Sequence, residues 1–141
     1  MIVLDTNVVS EMMRPMPAAE VSDWYAAQAT SSLFTTALTQ AEVLYGLAIL
    51  PAGQRRDALL AAALSMFDED FAGRILPFDS DAAVIYPDIA AGRRRSGQPI
   101  SQVDALIAAI VRSRGATLAT RDVSDFADCG IVVIDPWTHR S

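Results

Sequence analysis

Short β-rich apolar runs alternate with longer stretches of helical spacing along the whole chain, and that rhythm admits few folds. The runs are Ile2 to Asp5, Leu33 to Thr36, Arg74 to Phe78, Thr117 to Thr120 and Ile131 to Ile134. Each is compact enough to lie in a sheet covered on both faces, where a strand needs no polar side. Between them the spacing predicts helices over about Asn7 to Met13, Ala18 to Ala29, Gln40 to Leu50, Gln54 to Phe71, Ala82 to Arg95 and Gln102 to Arg114, with Pro15, Pro17, Pro51 and Pro99 at boundaries. The expectation is an α/β fold around a parallel sheet. With 141 residues, no internal repeat and no linker-like tract, one domain over 1–141 is expected.

Composition narrows the class. A hydrophobic content of 52% is too high for a disordered tail. No stretch approaches the roughly 18 uninterrupted apolar residues of a membrane helix, so no membrane partner is expected. The start, Met1 to Asp5, has no basic segment and reads as a first strand, not a secretory signal, which points to the cytoplasm. Cys129 is the only cysteine, so an intramolecular disulfide or a thiolate metal site is out of reach and a small buried side chain is the reading. All 11 basic residues are arginine and the net charge is -6. That balance disfavours non-specific adhesion to nucleic acid but leaves nucleic acid open as a substrate, because carboxylates that hold divalent cations add to the negative charge of the metal-free chain.

Several acids stand where acids are awkward. Glu42 falls in a helix whose Leu38, Ala41, Tyr45 and Ala48 keep three- and four-residue spacing, which predicts a core-facing stripe with the carboxylate beside it. Asp104 is the only polar residue from Val103 to Val111, and a carboxylate in such company needs a partner. Helix capping explains each acid singly: Thr39 to Glu42 and Ser101 to Asp104 match a capping box, and Asp122 to Asp125 offers a similar cap. Their convergence carries the stronger argument. Helices that follow strands in a parallel sheet begin at its carboxyl edge, so Asp5, Glu42 and Asp122 are directed to one edge, where such folds bind ligands. Asp104 follows a helix, so topology alone does not place it.

Carboxylates that meet repel one another unless protons, arginines or metal ions intervene. Hard oxygen ligands suit Mg²⁺ or Mn²⁺, with water and substrate phosphate oxygens in the remaining positions. That is equipment for phosphodiester hydrolysis, in which a water must be activated, charge on phosphorus stabilised and the leaving oxygen assisted. No serine, cysteine or histidine constellation competes, since the only histidine is His139 in the polar C-terminal tail.

Taken together, the segments around Ile2-Val3-Leu4-Asp5-Thr6-Asn7, Thr39-Gln40-Ala41-Glu42, Asp104 to Ala109 and Leu118 to Phe126 resemble the PIN domain, and within it the VapC-type toxins of bacterial toxin–antitoxin pairs. The likeness runs from Met1 to the Ile134-Asp135-Pro136-Trp137 ending. The resemblance implies a three-layer α/β/α fold with a five-stranded parallel sheet and an Mg²⁺-dependent endoribonuclease. It also implies partners: a small DNA-binding antitoxin that puts an arginine or lysine into the acidic pocket, and a second copy of the chain in a homodimer or larger toxin–antitoxin assembly. By position, Asp5 and Asp104 look like the main metal ligands, Glu42 a ligand or orienter of water, and Asp122 the fourth acid. Many relatives carry the acid three residues later, at the position of Asp125, which stands as the alternative. Thr6, Asn7 and Thr120 look like supports behind these ligands, although Thr6 and Asn7 also suit the start of a short helix.

Arg93, Arg94, Arg95 and Arg121 are candidates for contact with RNA phosphate or an acidic partner, because guanidinium forks match paired oxygens. A solvated helix end is the plainer account of Arg93 to Arg95. Trp24, Tyr25, Phe67 and Phe71 read as core or dimer surface rather than base-stacking platforms. A haloacid-dehalogenase-like phosphatase wants a second acid where Asn7 stands, and it and a response-regulator receiver both want a lysine that the chain lacks. A catalytically silent PIN module that acts by binding remains the other reading, since fold does not dictate activity.

Overall fold

A buried apolar strand has no water for its peptide groups and must pair on both sides. The computed structural model, which describes residues 1–140, shows how this chain meets that demand. β1 (Ile2–Leu4) lies at the centre, flanked by β2 (Leu33–Thr36) and β4 (Thr117–Ala119), with β3 (Ile75–Leu76) and β5 (Val132–Ile134) outermost. All four pairings are parallel, with Ile2 opposite both Leu33 and Thr117. The helices are α1 (Thr6–Met12), α2 (Ala19–Ala26), α3 (Ala37–Ala48), α4 (Gln54–Ser65), α5 (Ser80–Arg95) and α6 (Gln102–Ser113).

Alternation along the strands sorts two cores onto the two sheet faces. Val3 and Leu118 join Ile89 of α5 and Ile107 and Ile110 of α6 on one face. Leu4 and Ala119 join Val8 of α1, Trp24 of α2, Val43 of α3, and Phe67 and Phe71 on the other. This is the expected three-layer arrangement. Trp24, Phe67 and Phe71 belong to the core, and Tyr25 packs at its margin. Cys129 is buried, as its sequence context suggested. No described helix is long and apolar enough to cross a membrane.

Several boundaries differ from the sequence reading. β3 is two residues long, because Pro77 has no N–H to extend the ladder. α2 stops at Ala26, and a short 3-10 turn over Thr30–Ser32 leads into β2. α4 ends at Ser65 and loosens into a π-type turn over Met66–Asp70.

The largest correction concerns α3. It begins three residues earlier than expected, capped by the Thr36 hydroxyl, which accepts from Thr39 N at 3.1 Å. Thr39 therefore lies inside the helix and is not its cap. Of the Leu38, Ala41, Tyr45 and Ala48 stripe only Leu38 packs against the core: Ala41 and Ala48 are exposed and Tyr45 is 67% exposed, while the buried residues are Thr39 and Val43. The rotation turns Glu42 toward solvent at the carboxyl edge of the sheet.

The chain moves from β1 outward through β2 and β3, then crosses to β4 and β5 on the opposite side. The reversal leaves a crevice beyond the carboxyl ends of β1 and β4, where loops diverge and a ligand can enter. Asp5 and Thr120 follow those two strands.

Candidate active site

Asp5 is held as if it were one more strand residue. Its N–H donates to Ala119 O at 2.9 Å, while its side chain caps α1 by accepting from Thr6 N at 2.9 Å. The second carboxylate oxygen accepts from the Thr120 hydroxyl at 2.7 Å. Only 5% of the residue is exposed. Burial pushes the Asp5 carboxyl up from 3.8 to about 6, against the pull of these two hydrogen bonds and with the help of Asp104 and Glu42.

Thr120 is fully buried, and its hydroxyl is used to capacity. It donates to Asp5 and accepts from the Asn7 amide at 3.2 Å and from Asp122 N at 3.1 Å. Asn7 extends the network. Its amide nitrogen also donates to the Asp122 carboxylate at 3.1 Å, and its carbonyl accepts from Arg121 N at 3.2 Å. The end of β1 is thus stitched to the loop after β4 by side chains, where the backbone ladder has run out. Asp122 occupies the cap position of a short 3-10 turn over Val123–Phe126, but its side chain makes no capping bond.

The other acids lie around this knot. Glu42 accepts from the Thr6 hydroxyl at 2.6 Å. Thr6 has one hydroxyl proton, which this short charged contact claims, so the 3.3 Å approach to the Thr39 hydroxyl is served by Thr39's own proton. Asp104 sits in the first turn of α6, whose cap Ser101 accepts from Asp104 N at 3.2 Å. The capping account therefore holds for the Asp104 backbone, and it leaves the carboxylate without an ion-pair partner among the described residues. Burial raises the Asp104 carboxyl above its ordinary range and the Ser101 hydroxyl lowers it, while Asp125, Glu42 and Asp122 raise it further. Asp125, expected as the far member of a cap, is the acid whose charge acts most strongly on Asp104.

Five carboxylates thus share one edge and feel one another, and among the described residues none of them has an ion-pair partner. No three acidic, histidine or cysteine side chains among the described residues are arranged to hold a metal. The donor set fits a hard, largely hydrated dication, which takes one or two carboxylates and keeps several waters, better than an all-protein cage. A desolvated Asp5 with acidic neighbours and no cation is the observation that supports that fit.

Arg93 is also corrected. It is 7% exposed, and its guanidinium donates to backbone carbonyls, so it is not a solvated helix-end cation and cannot reach RNA or a partner. Arg94 and Arg95 are exposed. The exposed Arg121 stacks its guanidinium 5.0 Å from the ring centre of Trp137, which steadies it at the rim of the acidic edge. A cavity of about 360 Å³ opens beside Thr6 and Glu42 between α1, α3 and α4, with Arg14 and Arg55 on its walls. Sequence reasoning missed Thr39 as a buried hydroxyl behind Thr6. The Thr36-to-Thr39 spacing was the available signal, and it was read one helical turn too late.

Comparison with known proteins agrees with this geometry. The PIN domain family model matches residues 2–130. The chain is 42% identical over 137 residues to the VapC ribonuclease Y4jK of Sinorhizobium fredii, covering 97% of this chain and 98% of that protein. It is 37% identical to the toxin FitB of Neisseria gonorrhoeae, covering 97% and 99%. Among solved structures, a chain of FitAB bound to an IR36 DNA fragment superposes with a TM-score of 0.92 at 36% identity, covering 100% of this chain and 99% of that one. The parallel sheet in the order β3-β2-β1-β4-β5, the acids at its carboxyl edge and these matches over nearly the whole length lead to one assignment: the chain belongs to the PIN domain family.

Proposed function

We propose that this protein is an Mg²⁺-dependent endoribonuclease and the toxin of a toxin–antitoxin pair, acting in the cytoplasm. The observation that carries the reading is Asp5: a carboxylate buried at the switch point of the sheet, fixed through both oxygens and surrounded by acids with no cation. The names of the relatives, a VapC ribonuclease and a toxin, support the same activity.

Asp5 and Asp104 would hold the metal, with Mn²⁺ as a substitute and Asp122 or Asp125 as a further acid. A bound ion would supply positive charge for the phosphate oxygens and make a nearby water more acidic. Glu42, oriented by Thr6, takes the proton of the attacking water as its oxygen bonds to phosphorus, and the bond from phosphorus to the leaving ribose oxygen breaks as that oxygen takes up a proton from solvent. Thr120 and Asn7 keep Asp5 and Asp122 in register, so that little reorganisation accompanies the reaction. The exposed Arg121, Arg94 and Arg95 are the arginines that would meet the RNA backbone. An antitoxin would silence the site by placing a basic side chain among these acids, and a second copy of the chain completes a homodimer.

The test is incubation of purified protein with labelled RNA and Mg²⁺ or Mn²⁺, with EDTA and Asp5→Asn as controls. Metal-dependent cleavage lost in the variant is expected. A folded wild type that binds RNA without cutting it under any metal would favour the catalytically silent module instead.

A further inference from the structure

Among the described residues Arg93 is the one buried arginine, and none of their carboxylates pairs with it. Its partners are backbone carbonyls from two separate loops. Nε donates to Gln98 O at 2.6 Å, and Nη1 to Asp125 O at 2.9 Å and Ala127 O at 2.8 Å, with Cys129 Sγ at 3.7 Å. Burying a guanidinium is costly, and the next two positions of the same helix, Arg94 and Arg95, are exposed, so the placement calls for a reason.

One loop leads from α5 to Ser101 and Asp104. α5 ends in a Schellman turn: Gly97 takes φ 75°, Gln98 N donates to Arg93 O at 2.9 Å, and Gly97 N to Arg94 O at 3.2 Å. The backbone and side chain of Arg93 therefore grip the same residue, Gln98. The other loop carries Asp122 and Asp125 and ends in a turn where Asp128 adopts φ 59°, a left-handed conformation that aspartate takes more readily than most non-glycine residues. Ala127 and Cys129, on either side of Asp128, both touch the guanidinium.

Resting on the nuclease reading above, we propose that Arg93 is a positioning residue: from beneath the acidic edge it clamps the Asp122–Asp125 loop to the loop entering α6, and so sets the spacing between Asp125 and Asp104. The clamp depends on the shape of the guanidinium, whose planar fork spans carbonyls of two loops at once. A lysine ammonium carries the charge without the span.

The experiment compares wild type, Arg93→Lys and Arg93→Ala as full chains. For each, the melting temperature is measured in metal-free buffer, Mn²⁺ binding by electron paramagnetic resonance without RNA, and RNA cleavage against Mg²⁺ concentration. Both folded variants should need roughly tenfold or more Mg²⁺ for half-maximal cleavage and bind Mn²⁺ correspondingly more weakly, as loss of a group behind a metal ligand does. Millimolar guanidinium should restore Arg93→Ala toward wild type and leave Arg93→Lys unchanged. A variant that melts earlier but keeps wild-type metal dependence when folded overturns the proposal, as does Arg93→Lys behaving like wild type, or both variants failing to fold. A wild type that neither cleaves RNA nor binds Mn²⁺ overturns the nuclease reading and this inference with it. Active wild type with unshifted variants overturns the inference alone.

Discussion

The two halves of the acidic edge are built differently. On the strand side, Asp5 and Thr120 are buried extensions of β1 and β4, and every polar atom of the Asp5 carboxylate and the Thr120 hydroxyl has a protein partner. On the helix and loop side, Glu42, Asp122 and Asp125 are exposed and Asp104 is half-buried. The first half supplies fixed geometry and carries the desolvation cost. The second supplies charge that water already stabilises at Glu42, Asp122 and Asp125, with Asp104 between the two, its carboxyl raised by partial burial. A site of this kind concentrates its rigidity in a few buried atoms, and substitutions on the two sides should differ accordingly.

The sharpest break is Asp5→Asn, which removes charge and leaves shape. RNA cleavage should fall by at least about a thousandfold, beyond the loss of a single oxyanion-hole donor, because the metal itself is lost. The folded far-ultraviolet circular dichroism spectrum should be unchanged. Asp104→Ala should also abolish cleavage and leave the fold intact, since relief of repulsion offsets the lost side chain. Unfolding of Asp104→Ala would return that residue to a structural role.

Next is Thr120→Val, which keeps the volume and removes the hydroxyl shared by Asp5, Asn7 and Asp122. Metal affinity should drop about 10- to 100-fold, read as the Mg²⁺ concentration for half-maximal cleavage. Unfolding in urea should show a loss of about 1–3 kcal/mol, because Asp5 is left with a poorly satisfied buried oxygen.

Stability against pH follows the raised Asp5 carboxyl. Protonation is tighter in the folded state, so this group's contribution is fully present below pH 3.8 and is lost as pH rises through about 6. Metal-free protein should lose on the order of 2–3 kcal/mol across that window, with Asp104 adding to the trend in the same direction. Denaturant titrations of wild type and Asp5→Asn from pH 4 to pH 7 test this: the slope should flatten in the variant, and Mg²⁺ should remove it in wild type at the upper end. The smallest effect expected is that of Thr6→Val. It frees Glu42, an exposed residue, and should lower the cleavage rate by about tenfold or less with little change in stability.

How much of this was legible in the sequence divides along the same line. Strand positions were readable because Ile2 to Leu4 and Thr117 to Ala119 announce themselves by apolar content, and the acids following them inherit their place from topology. Asp5 and Asp122 were therefore found at the right edge. Glu42 was found for a partly wrong reason. Its helix presents an apolar stripe, Leu38 to Ala48, that the fold turns mostly to solvent, while the buried face is marked by Thr39, a polar residue that hydropathy patterns ignore. Arg93 was misread because a run of three arginines near a helix end looks solvated from sequence. Only the tertiary structure shows that the first of them points inward to carbonyls brought from residues far along the chain.

The central claim is that the buried Asp5 carboxylate serves as a ligand to a dication. It is tested most directly by Mn²⁺ titration of wild type and Asp5→Asn at pH 7.5 without RNA, read by electron paramagnetic resonance. Saturable binding by wild type, weakened about a hundredfold or lost in the variant, is the expected result. Equal binding by the two proteins, or none by a folded wild type, would contradict it.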